Sequence, residues 1–415
     1  MKALFIVHED PLDLHAGVQV YTRSIAEIFS ALGFETAIFS QKELDSDDIL
    51  VEFEQKGVKY FLVNSRLLRV RKKRFKFFES FDNPEVAEIF RGVFNRFKPD
   101  ILHVMHLLTL SGEIIFYAKR AGAKVVLTLW DYWYLCHRIN LLKPDLSICS
   151  GPGAGVKCRH CGDQKYEKFP WNLAMPVMAA AFSKRTKYLR RLLNCVDLIH
   201  APSHATKKIY VDNGVPDEKI ELLPPGYVQM DCPEKKKIPG YIRLGFIGTV
   251  LPHRGLHVLL DALWGVDPAR FELVVYGDTP DQKYYEDLRK KAEGLSVKFM
   301  GTFERNELAK IYQSFDILVF PTLWPEPYGL VVLEALSCKT PVLASRIGAL
   351  PELIEHGYNG WLLEPKNVDE WRIFFNKLVQ NYGIYDVLRP KPLVKFSFEE
   401  HVAKLAEIYK RLSGN

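Results

Sequence analysis

Two glutamates that follow an apolar run are the residues of this chain best placed to do chemistry. In the segment FPTLWPEPYGLVVLEALS, residues 320–337, Glu326 lies between two prolines and Glu334 lies eight residues later. We expect Pro327 to begin a helix that runs to about Ser337, because proline lacks the N–H that would be unpaired there. The free amides at this helix start, together with the helix dipole, would form an anion site suited to phosphate.

Glu334 would lie about two turns along this helix, among leucine and valine side chains. A carboxylate with apolar neighbours needs hydrogen-bond donors, and a pair of sugar hydroxyls is a suitable partner. The alternative is that Glu326 only complements the helix dipole and that Glu334 forms a surface salt bridge. The combination of both carboxylates with a phosphate-binding turn favours the functional interpretation.

Four cysteines form a second candidate site: Cys136, Cys149, Cys158 and Cys161. Cys158 and Cys161 have the spacing of a zinc knuckle, and the other two thiolates would complete a tetrahedral zinc site, with His160 as a spare ligand. The glycine-rich loop between them is long and needs something to order it. We therefore predict a structural zinc ion here, with free thiols as the alternative.

Short apolar runs rich in β-branched residues alternate with amphipathic helical segments along the chain. The runs lie at 3–7, 36–40, 60–63, 101–105, 124–130, 198–203 and 220–224, and then at 243–250, 271–277, 297–301, 317–322 and 341–345. Continuous apolar strands of this kind predict parallel sheets covered by helices on both faces. The two series predict an α/β protein of two doubly wound domains.

The domain boundaries follow from a break in this pattern. The segment 224–240 is polar and bounded by proline and glycine, so we interpret it as a linker. We place the first domain at 1–226 and the second at 240–395, with a C-terminal helix at 396–415 that joins the first. Ligands bind beyond the carboxyl ends of the strands in such sheets, so a cleft between the two domains is the expected site.

The composition excludes several classes of protein. With 415 residues, 48% of them hydrophobic and 26% charged, the chain is neither disordered nor fibrous. A formal charge of +6 is small for this length and does not indicate nucleic acid as a partner. Seven cysteines do not describe a secreted disulfide framework. The apolar part of the opening MKALFIVHEDP is too short for a signal peptide, and acidic residues follow it at once. We find no apolar run long enough to span a membrane. We therefore expect a cytoplasmic protein.

Two stretches mix basic and apolar residues. One is RLLRVRKKRFKFF at 66–78, and the other is WNLAMPVMAAAF followed by SKRTKYLRR at 171–191. This mixture suits contact with an anionic lipid surface, which would place the protein peripherally on the inner face of the membrane. A solvated helix face is an equally good interpretation.

The segment EPYGLVVLE, residues 326–334, resembles the E-x7-E motif of retaining glycosyltransferases with the GT-B fold, in particular glycosyltransferase family 4. The resemblance extends over nearly the whole chain. It implies two Rossmann-like domains that transfer a sugar from a nucleotide-sugar donor to a glycan or lipid-linked glycan acceptor, with retention at the anomeric carbon. Glu334 would bind the donor ribose and Glu326 the transferred sugar. The donor phosphates and sugar would contact the amides of Tyr328, Gly329, Leu330 and Val331.

The segment GFIGTVLPHRGLHVLLDAL, which opens the second domain, resembles the family's phosphate-binding strand and loop. The resemblance implies that Gly248 lets the pyrophosphate approach and that Arg254 neutralises it with its forked guanidinium. Thr249 stands where the family has a second positively charged residue, so one positive charge is missing. His253 lies nearby in the sequence.

The first domain resembles the family in HAGVQVYTRSIA and in ILHVMHLLTLS followed by TLWDYWYLCHR. Gly17 carries over from the family's glycine-rich loop. Trp130 stands where the family has a histidine that contacts the donor sugar, so Asp131 remains to meet donor or acceptor hydroxyls and His137 is a candidate substitute. Two further histidines are candidates to face the cleft, with a packed position as the alternative: His103 and His106.

The residues implied by the resemblance suffice for transfer without a metal, because Arg254 and the helix-start amides would stabilise the charge that develops on the leaving phosphate. The acidic string Asp45-Ser46-Asp47 is better explained as a turn than as a metal site. We find no carboxylate pair of the kind a glycoside hydrolase needs. Two alternatives stay open: an epimerase or sugar-phosphate synthase on the same fold, and a catalytically silent nucleotide- or glycan-binding subunit, which the departures at Thr249 and Trp130 favour.

Overall fold

The computed structural model describes residues 1–12, 17–68, 76–161, 171–227, 240–385, 388–393 and 397–414, together with residues 230, 232, 235 and 238. The chain divides into two compact units. The N-terminal unit comprises Met1–Pro144, Cys149–Pro224 and Glu399–Asn415, and the C-terminal unit comprises Asp145–Ile148 and Pro225–Phe398. The basic run 69–75 and about half of the linker lie outside the described residues.

The N-terminal unit is built around one mixed sheet. Its strands are β1 (Lys2–Ile6), β2 (Glu35–Lys42), β3 (Leu50–Gln55), β4 (Val58–Asn64), β5 (Ile101–Val104), β6 (Lys124–Thr128), β7 (Leu198–Ala201) and β8 (Ile220–Leu222). Within the described residues the strand order is β3-β4-β2-β1-β5-β6-β7-β8. The chain moves to one side of β1 first and returns at β5 to the other side, so the switch point of this sheet lies between β1 and β5.

The helices of the N-terminal unit follow its strands. They are α1 (Gly17–Ala31), α2 (Lys76–Glu79), α3 (Pro84–Phe97), α4 (Glu113–Arg120), α5 (Trp171–Cys195) and α6 (His204–Asp212). Local sequence explains where they start: the Asn83 side chain accepts from the amides of Glu85 and Val86, with Pro84 in the first turn. Ser203 caps α6 in the same way, by accepting from the amide of Thr206.

The C-terminal unit has a purely parallel sheet within the residues described. Its strands are β9 (Ile242–Ile247), β10 (Phe271–Tyr276), β11 (Val297–Gly301), β12 (Ile317–Phe320), β13 (Val342–Ser345) and β14 (Gly360–Leu363), in the order β11-β10-β9-β12-β13-β14. Its helices are α7 (Leu256–Leu263), α8 (Gln282–Lys291), α9 (Leu308–Ser314), α10 (Leu330–Ser337), α11 (Leu350–Leu353) and α12 (Val368–Gln380). The switch point lies between β9 and β12.

Two apolar cores cover the two faces of this second sheet. Alternation along β12 sends Ile317 and Val319 into one core, with α7 and α12, and Leu318 and Phe320 into the other, with α10. Both faces are therefore buried, which is why each strand is a continuous apolar run.

The last helix, α13 (Phe398–Ser413), lies mostly within the N-terminal unit. The Tyr409 ring stacks on Phe29, with 5.0 Å between centroids, and its hydroxyl bonds Nδ1 of the fully buried His103. The His401 ring bonds the hydroxyl of Tyr21 on α1. Polar contacts inside the core thus hold α13 in one position.

The structure departs from the sequence prediction in three ways. Strands β3 and β14 were not predicted, and β3 pairs antiparallel with β4, so the N-terminal sheet is not purely parallel as expected. A disulfide that the sequence analysis did not predict joins Cys232 to Cys338.

In the part of the chain that the structure describes, no helix has both the length and the apolar character needed to cross a membrane.

Candidate functional site

Three loops meet at the carboxyl end of the C-terminal sheet, around Glu326. The loop after β9 carries Arg254, and it binds the loop after β12 because the Leu323 amide donates to the His253 carbonyl over 2.8 Å. The loop after β13 closes on the same place, since the Ala349 amide donates to the Glu326 carbonyl over 2.9 Å. Glu326 therefore lies at the switch point of the sheet, where doubly wound proteins bind ligands.

The side chains of Arg254 and Glu326 form an ion pair. Nη1 of Arg254 lies 2.9 Å from Oε2 of Glu326, whose side chain is 10% exposed, against 26% for the arginine. Burial raises the pKa of the Glu326 carboxyl, and Arg254 opposes that rise. The guanidinium also lies over the Trp324 ring, 5.5 Å from its centroid. The pair is thus held from several sides.

Helix α10 begins later than predicted. Its first residue is Leu330, and Gly329 is the N-cap at φ 99°, so Pro327 is not the first helical residue as expected. The physical reason is that the chain must turn sharply between Glu326 and the helix, and only glycine takes this φ without strain. The Tyr328 side chain is buried, and its hydroxyl donates to the Pro225 carbonyl over 3.1 Å.

Glu334 does not stand among apolar side chains alone. Its Oε1 accepts from Nη2 of Arg305 at 2.9 Å, and its Oε2 accepts from the Tyr312 hydroxyl at 3.0 Å. Burial raises the pKa of Tyr312 well above its usual value, and so does the neighbouring carboxylate. An ionised carboxylate has about four lone-pair sites, so these two contacts orient Glu334 and leave acceptor capacity for a ligand.

Gly248 and Thr249 begin the loop after β9. Gly248 has φ 146°, and no heavy atom lies within 4 Å of the place where a Cβ would be. Gly277, which follows β10, lies so close to Gly248 that a Cβ on Gly277 would come within 2.0 Å of the Gly248 carbonyl oxygen. The backbone of Gly248 is thus open on one side, as a close approach by a ligand requires.

Asp131 lies at the carboxyl end of β6, in the N-terminal unit, next to a histidine from β5. Its Oδ2 is 2.8 Å from Nε2 of His106, and its Oδ1 accepts from the Trp133 amide at 2.7 Å. Nδ1 of His106 accepts from the Leu108 amide at 3.0 Å, so the proton of a neutral ring lies on Nε2 and points at Asp131. His106 therefore orients Asp131.

His8 extends this cluster from the end of β1. Its ring lies 4.2 Å from that of His106, and burial lowers the pKa of His8 well below its usual value.

Trp130 packs edge-on against Tyr21 at 4.6 Å and supplies no imidazole. Gly17 begins α1, while Ala16 before it lies outside the described residues. His137 contacts the Phe182 ring at 4.6 Å.

The four cysteines of the predicted zinc site line one small cavity, together with His137. Burial raises the pKa of the Cys136 and Cys161 thiols, and that of Cys158 to about 12. Within the described residues, no group of three His, Cys, Asp or Glu side chains already has the arrangement of a metal site. The side chain of His160 is not among those described.

Residues 16–226, just over half of the chain, match the family "Glycosyl transferase 4-like domain", and residues 231–389 match "Glycosyl transferases group 1". The chain belongs to this family of glycosyltransferases. The two matched regions follow one another along the chain.

The curated relatives of this glycosyltransferase match it over part of their length. An uncharacterised glycosyltransferase of Methanocaldococcus jannaschii is 29% identical over 171 residues, which are 40% of this chain and 48% of the relative. A D-inositol 3-phosphate glycosyltransferase of Mycobacterium marinum is 26% identical over 222 residues, which are 51% of this chain and 47% of the relative. The chain thus spans about half the length of the relatives it matches.

Solved structures show the fold of the glycosyltransferase. Sucrose-phosphate synthase from Thermosynechococcus elongatus aligns with a TM-score of 0.74 at 17% identity, over 100% of this chain and 99% of that chain. HepE of Anabaena, in complex with UDP and glucose, aligns with a TM-score of 0.62 at 18% identity, over 98% and 99%. The predicted fold class is therefore confirmed: α/β, GT-B, with two Rossmann-like domains.

Three residues of these clusters were missed in the sequence analysis: His8, Arg305 and Tyr312. His8 and Arg305 each follow a strand by a few residues, so position after a strand was the available signal. Tyr312 lies inside α9 and carries no local signal, because its role depends on how α9 packs against α10.

Proposed function

We propose that this chain is a retaining glycosyltransferase of glycosyltransferase family 4. It moves a sugar from a nucleoside diphosphate sugar to a glycan or lipid-linked glycan, without a catalytic metal ion. The observation that carries the proposal is the Arg254–Glu326 ion pair at the switch point of the C-terminal sheet. A cation beside a buried carboxylate, next to a helix start, suits a ligand that joins a diphosphate to a sugar.

Arg254 acts on the diphosphate in this proposal. Its Nε is buried and has no hydrogen-bond partner among the described residues, so it is a donor in need of an acceptor. When the anomeric C–O bond breaks, negative charge develops on the leaving phosphate oxygen. The guanidinium and the amides of residues 328–331 are already ordered, so they stabilise that charge without reorganising.

The two carboxylates bind hydroxyls. Glu326 accepts from hydroxyls of the transferred sugar, and Glu334, oriented by Arg305 and Tyr312, accepts from the ribose diol. Gly248 lets the pyrophosphate approach its open backbone. Thr249 supplies no charge, so Arg254 is the principal cation for the diphosphate.

The N-terminal unit contributes Asp131, which accepts from a donor or acceptor hydroxyl. His106 holds this carboxylate in one orientation by donating a hydrogen bond from Nε2 to Oδ2 of Asp131. Gly17, at the start of α1, contributes its backbone to the binding of the donor. A carboxylate oriented by an imidazole N–H suits a sugar hydroxyl, which must be positioned and then lose its proton.

Thermal-shift titration with UDP, GDP, ADP, CMP and TDP, first with EDTA and then with magnesium, tests donor binding. A nucleotide at about 100 times its dissociation constant stabilises the protein by about 2.7 kcal/mol, which raises the melting temperature by a few degrees. UDP is tested first, since HepE was solved with UDP and with UDP-glucose. We expect one nucleotide to act without metal; a shift from none of them overturns the proposal.

Turnover distinguishes the alternatives on this fold. We expect sugar transfer to a glycan or lipid-linked acceptor, with the anomeric configuration retained in the NMR spectrum of the product. Product formed without an acceptor indicates an epimerase, and product formed only with a sugar phosphate indicates a synthase. Binding without any turnover indicates a silent subunit.

We also propose that the protein is cytoplasmic and binds peripherally to an anionic membrane surface. On α5 the Val177 side chain is 70% exposed, and the exposed residues Lys184 and Lys187 follow on the same helix. Arg185 in the same stretch is buried, so only part of this basic run is available. Co-sedimentation with vesicles is expected to rise with the fraction of anionic lipid; equal binding to neutral vesicles contradicts the proposal.

A further inference from the structure

A cavity in the N-terminal unit is lined by four cysteines that all lie between residues 136 and 161 of the sequence. Its volume is about 10 Å³, close to that of a single water-sized sphere. Carboxylates are absent from the described residues that line it. It is lined by Cys136, Cys149, Cys158, Cys161 and His137, by Lys157, and by apolar neighbours that include Leu135, Leu141 and Leu142.

The backbone around this cavity has little regular structure. Between Cys136 and Cys161 the described elements amount to one 3-10 segment, Gly153–Cys161, which is itself interrupted by Ala154 in a left-handed conformation. Ile139 and Leu141 are also left-handed, with φ 74° and 53°. Such residues cost free energy and persist only where the surroundings hold them. A segment of this length and irregularity needs a cross-link.

A buried cation, Arg185, lies near two of the four cysteines, Cys136 and Cys158. Arg185 is 3% exposed and donates to the Trp133 carbonyl. Four thiolates around a divalent cation carry two negative charges, and a buried guanidinium offsets part of that charge.

We propose that Cys136, Cys149, Cys158 and Cys161 bind one structural zinc ion. Four soft sulfur ligands select zinc over magnesium or calcium, and they leave no coordination position open for catalysis. The thiols must first close on the ion, until neighbouring sulfurs are about 3.8 Å apart, the edge of a tetrahedron with Zn–S bonds of about 2.3 Å. This site does not depend on the proposed function.

Metal analysis of the purified full chain tests the proposal. Prepared under reducing conditions without chelator, the protein is expected to hold about one zinc per chain by plasma mass spectrometry. Cys136→Ser and Cys158→Ser are expected to lose it. Cys195→Ser is the matched control, because Cys195 is a free cysteine at the end of α5 that does not line the cavity, and this variant is expected to keep the zinc.

A second measurement covers the case in which the serine variants fail to fold. Titration of the wild-type chain with a mercurial, in the presence of a coloured zinc indicator, is expected to release one zinc as the thiols react. Chelation is expected to lower the melting temperature by several degrees, and added zinc, but not magnesium, restores it. Protein grown with cobalt is expected to show thiolate-to-cobalt charge-transfer absorption.

Three results would overturn the proposal. The first is a zinc content well below one per chain in freshly reduced protein. The second is iron in place of zinc, and the third is the presence of disulfides among the four cysteines in a non-reducing peptide map. Loss of zinc from Cys195→Ser to the same extent as from Cys158→Ser would also count against it, since the loss would then follow from general destabilisation.

Discussion

Arg254 and Glu326, which are 72 residues apart in the chain, form a part-buried ion pair with an N–O distance of 2.9 Å. The pair joins the loop after β9 to the loop after β12. Removing one partner of such a pair leaves the other charge without its counter-charge, so each residue sets the environment of the other.

Glu326→Gln is expected to lower kcat by about 10²–10³-fold, because the variant keeps the shape of the side chain but loses its charge. The measurement is steady-state transfer with the donor identified by thermal shift. Glu364→Gln is the control: Glu364 is 57% exposed, pairs with Arg346 and should change neither activity nor stability. Unchanged turnover in Glu326→Gln would remove this residue from the site.

Gly348→Ala is expected to lower kcat/KM at least tenfold, because an added Cβ would lie 2.4 Å from backbone atoms of Glu326. Gly357→Ala is a matched control. It also has a positive φ, of 82° against 58°, but open space around its Cβ. Both variants should lose about 1 kcal/mol in urea unfolding from the positive φ, Gly348→Ala should lose more because its Cβ also contacts the Glu326 backbone, and only Gly348→Ala should lose activity. Equal kinetics for the two would contradict the placement of Glu326.

Tyr312→Phe is expected to raise the KM for the donor by about 5- to 10-fold with little change in kcat, because one hydrogen bond that orients Glu334 is lost. In a binding assay, Tyr312→Phe and the wild type should bind a 2′,3′-dideoxy nucleotide with equal affinity, since that ligand has no diol for Glu334. Tyr117→Phe, which loses an exposed contact to Asn95, serves as the control. An equal effect on the dideoxy nucleotide would refute the ribose role.

Asp131→Asn is expected to lower kcat at least tenfold while nucleotide binding, followed by calorimetry, stays the same. The reason is that the carboxylate held by His106 serves a sugar hydroxyl in our proposal, whereas the nucleotide is held by the C-terminal unit. Asp45→Asn is the control, because Asp45 is fully exposed and pairs only with Arg66 among the described residues. Weaker nucleotide binding in Asp131→Asn would point to a structural role instead.

Folding stability is expected to fall as the pH drops from about 6.5 to 4. Burial lowers the pKa of His401 to about 4 and that of His200 to about 3. The unfolded chain takes up these protons near pH 6.5, whereas the folded chain does not, so acid favours the unfolded state. Each histidine contributes about 1.4 kcal/mol per pH unit in that window.

Urea unfolding at several pH values checks this prediction. His401→Gln removes one of the buried histidines with a lowered pKa and should make the dependence on pH shallower. His204→Gln changes an exposed histidine and should leave the slope as in the wild type. Identical slopes in all three proteins would contradict the assignment.

Much of the fold was readable from the sequence, because strands buried on both faces are continuous apolar runs. The run 297–301 coincides with β11, and most of the others differ from their strands by one or two residues at an end. Strand β3 escaped because it lies at the sheet edge, where LVEFEQ is only partly buried and carries two charges. Strand β14 was also missed, although its four residues are as buried as those of the predicted strands β12 and β13.

The sequence by itself determined the order of strands and helices, the two glutamates with their glycine turn, and the four cysteines, since these depend on residue types and local spacing. Only the tertiary structure decided that Arg254 pairs with Glu326, that Arg305 and Tyr312 hold Glu334, and that His106 orients Asp131. Each of these contacts joins residues from different loops or helices. The packing of whole elements determines such distances, and no local propensity encodes them.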